Sequence, residues 1–311
     1  MYTKPQPWTG RIDGTEEESL RWHQKVELAD IQEEILFEEA FFGILGFASD
    51  EGVRRNQGRV GAKTGPEMLR KFSSNFPVNS QKKIIDFGNI GCEDANLEKS
   101  QSLLSNFIEK IQIAGGKTIV LGGGHEVMYA HYSGLRKAFP DKKIGIINFD
   151  AHFDNRLVKP EIGATSGTGF WQIAQNDLNY NYLAIGIQEN SNTKSLFGFA
   201  QQSGTEYVLA KDFQSKNEEK IKKTIADFIA KSEILYLTVC LDVFAAPFAP
   251  GVSAVAYNGL IPDSFFQEIF HQIVSNQKLI AFDIAELNPD FDIDNRTARL
   301  AASLLFEFVK H

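Results

Sequence analysis

Apolar runs of six to ten residues recur along the chain, and most are continuous rather than alternating. They are FFGILGFA at 41–48, KIIDFG at 83–88, KTIVLGG at 117–123, KIGIINFD at 143–150, NYLAIGI at 181–187, TEYVLA at 205–210, ILYLTVCLD at 234–242 and KLIAFDIAEL at 278–287. Runs apolar at every position suit strands covered on both faces, the situation of a parallel sheet. Stretches of helical period lie between them. Leu97, Leu103, Leu104, Phe107, Ile108 and Ile111 share one face of 96–113; Ile221, Ile225, Phe228 and Ile229 mark a second helix, and Leu300, Leu304, Leu305 and Phe308 mark 294–310. Alternating strands and helices predict an α/β fold: a three-layer α/β/α sandwich around a parallel sheet of about eight strands. With no repeat and no long linker, residues 1–311 read as a single domain. Residues 1–40 form an N-terminal arm packed on it, with an acidic helical stretch over Glu16–Leu36.

Composition narrows the function. A formal charge of −8 and no Lys/Arg-rich run argue against a nucleic-acid partner. Two cysteines make no disulfide framework. No apolar run spans a bilayer and residues 1–14 lack a signal core, so no membrane partner and a cytoplasmic location are expected.

The chemistry gathers where the strands end. The run IGIINFDAHFDN closes on Asp150, His152 and Asp154, at alternate positions that face one way in extended chain. Such crowding is unfavourable unless a cation lies between the carboxylates. Ligands in open α/β sheets sit beyond the carboxyl ends of strands, so other strand ends should contribute. GGGHE places His125 after three glycines, TVCLDVFAAPFAPG sets Cys240 and Asp242 two apart, and FDIAELNP brings Asp283 and Glu286. Taken singly, each has a bland alternative: a capping Asp, a small core Cys, a structural His. Together, His125, Asp150, His152, Asp154, Cys240 and Asp242 suit a binuclear divalent site, in which bridging carboxylates hold two ions that activate a water.

GGGHE, FDAHFD and CLDVFAAPFAPG resemble the three metal motifs of the ureohydrolase (arginase and agmatinase) family, and ELNP at 286–289 adds a fourth match. WTGRIDG, SLRWHQ, DEGVRRNQGRVGAKTGPEMLR and APGVSA resemble its formimidoylglutamase branch. The resemblance implies an arginase-like sandwich and a bridged manganese pair. His125, Asp150, Asp154 and Cys240 would hold one ion; Asp150, His152, Cys240 and Asp242 would hold the other. The family has Asp where Cys240 stands. Aligning on PFAPG gives that register; a shift of two would make Asp242 the bridge and put Phe244 at a lost ligand. A thiolate keeps the charge, but sulfur is soft and manganese favours oxygen and nitrogen, so the substitution bears on metal identity.

The implied chemistry is hydrolysis of a linear amidine C–N bond, converting N-formimidoyl-L-glutamate to L-glutamate and formamide in histidine degradation. Asp154 would orient the nucleophile and pass a proton to the leaving amine, and Glu286 would face the amidinium. Arginine suits the two carboxylates of such an acidic amidine substrate. Arg156 stands where arginine-hydrolysing members carry a neutral residue. Arg54, Arg55, Asn56 and Arg59 follow the first strand, and Ser166 and Thr168 lie in TSGTGF, where Phe170 replaces a family histidine. Gln188 and Asn192 are further pocket candidates. Another ureohydrolase acting on a guanidino acid, agmatine or arginine, or a catalytically silent relative, remains open, as does homo-oligomerisation.

Overall fold

The computed structural model describes residues 1–34 and 39–311. All eight expected strands form. After the two-residue strands β1 (Tyr2–Thr3) and β2 (Glu27–Leu28) come β3 (Phe41–Ala48), β4 (Lys83–Gly91), β5 (Lys117–Leu121), β6 (Ile144–Phe149), β7 (Tyr182–Ile187), β8 (Glu206–Leu209), β9 (Ile234–Cys240) and β10 (Leu279–Ala285). They make one sheet in the order β1-β4-β3-β5-β10-β9-β6-β7-β8, with β2 also on β4. Every pairing among β3 to β10 is parallel.

Strand parity divides the interior into two layers. Leu235, Leu237 and Val239 of β9, with Ile147 and Phe149 of β6, pack under the helices Glu218–Ala230, Ser264–Val274 and Arg296–Val309. Tyr236 of β9 and Ile144 and Ile146 of β6 face the other way, toward Leu97–Ile113, Val127–Ala138 and Gly169–Asn176. These are the three layers expected from the continuous apolar runs. The three helices marked by periodicity form close to the predicted limits, and the cap of Leu97–Ile113 is Asn96, whose side chain accepts the Lys99 N–H.

The four central neighbours β5, β10, β9 and β6 carry the metal motifs. Their register sets Leu121 against Ile284, Cys240 against Ala285 and Val239 against Phe149. Four carboxyl ends are thereby level, and the polar residues after them share one edge.

The N-terminal arm departs from expectation. Glu16–Leu36 is not one helix: it holds a turn of 3-10 helix at Glu17–Ser19, a short helix Trp22–Lys25 and β2. Its last two positions, Ile35 and Leu36, lie outside the described residues. The outer side of β4 offers free backbone groups, and pairing with it outweighs local helix propensity in a segment rich in Glu and Gln. Farther back, Trp8 Nε1 donates to Asp86 Oδ2 at 2.8 Å, and Arg70 binds the same carboxylate at 2.7 Å. The arm is thus fastened to β4 by a buried, paired charge. No helix among the described residues is long and apolar enough to cross a membrane.

Candidate metal centre

Each strand leaves the ladder as its polar tip begins. After β5, Gly123 admits no side chain: a Cβ there would lie 1.8 Å from the Ser49 carbonyl oxygen. This close approach carries His125 over the end of β9. After β6, Asp150 caps its own turn, Oδ1 accepting the His152 N–H at 2.7 Å. Asp154 and Glu286 both adopt positive φ, 45° and 70°. Left-handed backbone is uncommon for any residue but glycine, though Asp tolerates it better than most, and such conformations cluster at functional sites.

Two groups of ligand-type atoms result, and Asp150 belongs to both. One is His125, Asp150 and Cys240; the other is Asp150, His152 and Asp242. His125 Nδ1 lies 3.0 Å from Asp150 Oδ2 and 2.8 Å from Asp154 Oδ2, and His152 Nδ1 lies 3.2 Å from Asp242 Oδ2. All six metal candidates meet here. Cys240 lines the cleft above them, whereas Phe244 is fully buried with its ring against Phe266 at 5.0 Å. The register that makes Cys240 the counterpart of the family aspartate therefore fits the geometry, and the shifted one does not.

Electrostatics argue for missing positive charge. Burial and the Asp150 charge raise the Asp154 pKa; burial, and then Asp150 against the lowering effect of His152, raises that of Asp242. Burial and the surrounding carboxylates push the Cys240 thiol well up. Burial, then Glu126 and Asp242, does the same to Glu286. Asp150 is the exception. Burial opposes its ionisation, but His125 and His152 outweigh burial and hold it far below the usual carboxylate range. In turn, Asp150 and Asp154 overcome burial to keep His125 well above its ordinary value. These opposed shifts are those expected of a carboxylate cluster from which divalent positive charge is missing. Asp242 Oδ1 and Glu286 Oε2 are buried without any hydrogen-bond partner, as open ligand positions would be. The residues present fit a two-ion centre.

A cleft of about 330 Å³ opens over these groups. Besides the ligands and Glu286, it is lined by Asn56, Arg59, Arg156, Ser166 and Ser253. Asn56 Nδ2 donates to Ser166 Oγ at 3.2 Å, joining two of the expected substrate contacts. Arg54 and Thr168 are not brought to the cleft. Glu51 holds the Arg54 guanidinium at 2.6–2.7 Å, three residues back on its own helix, and the Thr168 hydroxyl is spent on Thr165 and Gln172. Arg55 is likewise taken up by Glu51 and Glu98. Gln188 and Asn192 stand behind the FDAHFD loop: Asn192 accepts the Phe153 N–H and donates to the Ala151 carbonyl.

Under the ligands lies a second tier, of which the sequence reading names Asp283 at its strand end but not Thr238, Tyr236 or His131. His125 Nε2 lies 2.9 Å from Thr238 Oγ1, and Thr238 donates to Asp283. Asp283 also accepts from Tyr236 and, at 2.7 Å, from His131 Nδ1. The available signal was strand parity: Thr238 shares a face with Cys240, and Asp283 interrupts an apolar run. Phe170 stacks on Tyr182 at 3.8 Å and walls the pocket behind His125.

Comparison with known proteins agrees with this construction. The arginase family model matches residues 40–310. A formimidoylglutamase of Staphylococcus carnosus (strain TM300) is 42% identical over 312 residues, covering 99% of this chain and all of that one. One of Staphylococcus aureus (strain MRSA252) is 39% identical over the full length of both. Among solved structures, Trypanosoma cruzi formiminoglutamase with a Mn2+ pair superposes with a TM-score of 0.79 at 22% identity, over 90% of this chain and 97% of that one. Formimidoylglutamase from Bacillus subtilis subsp. subtilis also gives 0.79 at 21% identity, over 89% and 87%. At these identities the two structures speak for the fold.

Proposed function

The chain belongs to the arginase family, and on that footing we propose that it is a formimidoylglutamase, hydrolysing N-formimidoyl-L-glutamate to L-glutamate and formamide in histidine breakdown. The observation that carries the reading is identity of 39–42% to formimidoylglutamases over the whole chain.

His125, Asp150, Asp154 and Cys240 would hold one divalent ion, and Asp150, His152, Cys240 and Asp242 the other, most simply manganese. Such a pair, when bound, would supply an ionised water as nucleophile and stabilise the charge that develops on the heteroatoms around the reacting carbon.

The chain's own residues would do the rest. Glu286, anionic once the ions lower its pKa, faces the cleft and attracts the amidinium. Arg156 and Arg59 sit on the same cleft and would receive the substrate carboxylates, with Asn56 and Ser166 as neutral donors. Asp154, held at positive φ beside His125, would orient the nucleophile and carry its proton to the departing amine. One C–O bond forms, one C–N bond breaks, and the proton leaves with glutamate's nitrogen. Thr238 and Asp283 would fix the His125 tautomer with Nε2 protonated, so Nδ1 keeps its lone pair for the ion.

The test is the substrate profile of purified, manganese-loaded protein. Formamide release from formimidoylglutamate supports the reading; preferential activity on agmatine or arginine would overturn it.

A further inference from the structure

A second cluster of ligand-type side chains lies on the other edge of the molecule. His271 is in the last turn of helix Ser264–Val274, which leads into the start of β10, so it stands at the amino ends of the strands. Glu307 and His311 come from the end of the neighbouring helix Arg296–Val309 and the turn after it. His271 Nδ1 is 2.9 Å from Glu307 Oε1, and His311 Nε2 is 3.5 Å from the same oxygen. One ligand atom from each of the three residues falls within 4.8 Å of the others.

Two features distinguish this trio from a surface ion pair. His311 Nε2 is a buried ring nitrogen whose contact with Glu307 Oε1, at 3.5 Å, is too long and poorly aligned for a full hydrogen bond. The residue that carries it is also fixed in place. Its N–H donates to the Phe308 carbonyl, its own carbonyl oxygen accepts from Lys82 Nζ at 2.7 Å, and its ring meets that of His271 edge-on at 4.8 Å. A solvated histidine would have no such anchoring. The two N···O separations, 2.9 and 3.5 Å, bracket the edge of about 3.4 Å expected of a tetrahedral ion bound at about 2.0–2.2 Å by nitrogen and oxygen.

We propose that His271, Glu307 and His311 form a distal site for one zinc-class divalent ion, separate from the cleft. Two imidazoles and a carboxylate select zinc, nickel or copper over manganese, and a water would complete the coordination. Bound there, the ion ties the last helix to its neighbour at the end of the sheet opposite the reaction. The carboxylate turns slightly from its present position between the rings to admit it. Lys310 Nζ, 3.7 Å from Glu307, is the competing cation.

The experiment uses full-length, manganese-loaded protein in excess manganese, dialysed against micromolar Zn2+. Bound zinc is counted by elemental analysis in the wild type, His271→Gln and Glu307→Gln. The wild type should hold one equivalent more than either variant, and zinc should raise its Tm while leaving theirs in place. Zinc that replaces manganese in the cleft would do so equally in all three. Equal zinc contents and equal Tm shifts would overturn the proposal. His271 is half exposed, so its substitution leaves the fold intact, which manganese content and circular dichroism check.

Discussion

Thr238 Oγ1 stands 2.9 Å from His125 Nε2, leaving Nδ1 as the ring nitrogen that faces Asp150 and Asp154. The hydroxyl is itself oriented by donating to Asp283, so a buried chain of two polar groups decides which lone pair is presented. Removing the hydroxyl while keeping the shape isolates that role. Thr238→Val should fold normally and bind manganese about 10–100-fold more weakly. Isothermal titration of the metal-free variant checks it; an unchanged affinity would assign Thr238 to packing alone.

Cys240 can be tested by restoring the family residue. Cys240→Asp supplies a hard oxygen ligand, and it should bind manganese more tightly and retain or raise activation by it. Titration of activity against manganese reads this out. Loss of activity would show that the thiol itself is used.

Two of the candidate arginines, from different segments, separate cleanly. Arg156 lines the cleft, whereas Arg54 is held outside it by Glu51. Arg156→Met should raise KM for formimidoylglutamate about 10–100-fold, the loss of one charge-assisted hydrogen-bonded contact of about 1.5–3 kcal/mol. Arg54→Met should leave KM unchanged. Steady-state kinetics of the pair distinguishes a substrate contact from a general effect of positive charge.

Lys117 offers a pH test away from the cleft. Burial, helped by Lys82, brings its pKa down to about 8 from 10.5. Between those values the unfolded chain carries a proton that the folded one has released, so stability rises with pH there and is lost as pH falls through 8. At neutral pH the half-buried ammonium is a cost, on the order of 1 kcal/mol after solvent screening. Lys117→Met should therefore be more stable than wild type at pH 7, with the difference shrinking by pH 10. Urea denaturation at both pH values measures it.

Much of the fold could be read from the residues because its strands are buried on both faces. FFGILGFA and ILYLTVC advertise themselves as uninterrupted apolar runs, and charged residues at their ends stand out against that background. The ligands were legible for the same reason. Arg54 misled because sequence order does not show that Glu51, one turn back, satisfies its guanidinium first. Thr168 misled in a similar way, its hydroxyl being consumed within its own loop. Thr238 was hidden inside its strand, and Asp283, though noticed, gave no sign of its role, because a polar residue within a strand has meaning only through a neighbour on another strand. The segment 16–34 failed for a tertiary reason: the edge of β4 recruited part of it.

That edge has a practical side. Among the described residues, one margin of the sheet is paired by two tiny strands, one antiparallel at Asn89–Ile90 and one parallel at Ile85–Asp86, with Trp8 pinning the segment between them. A shortened version beginning near residue 40 would bare an adhesive border of unpaired amides. Clumping of such a fragment would then reflect a missing selvedge, with the catalytic machinery still sound.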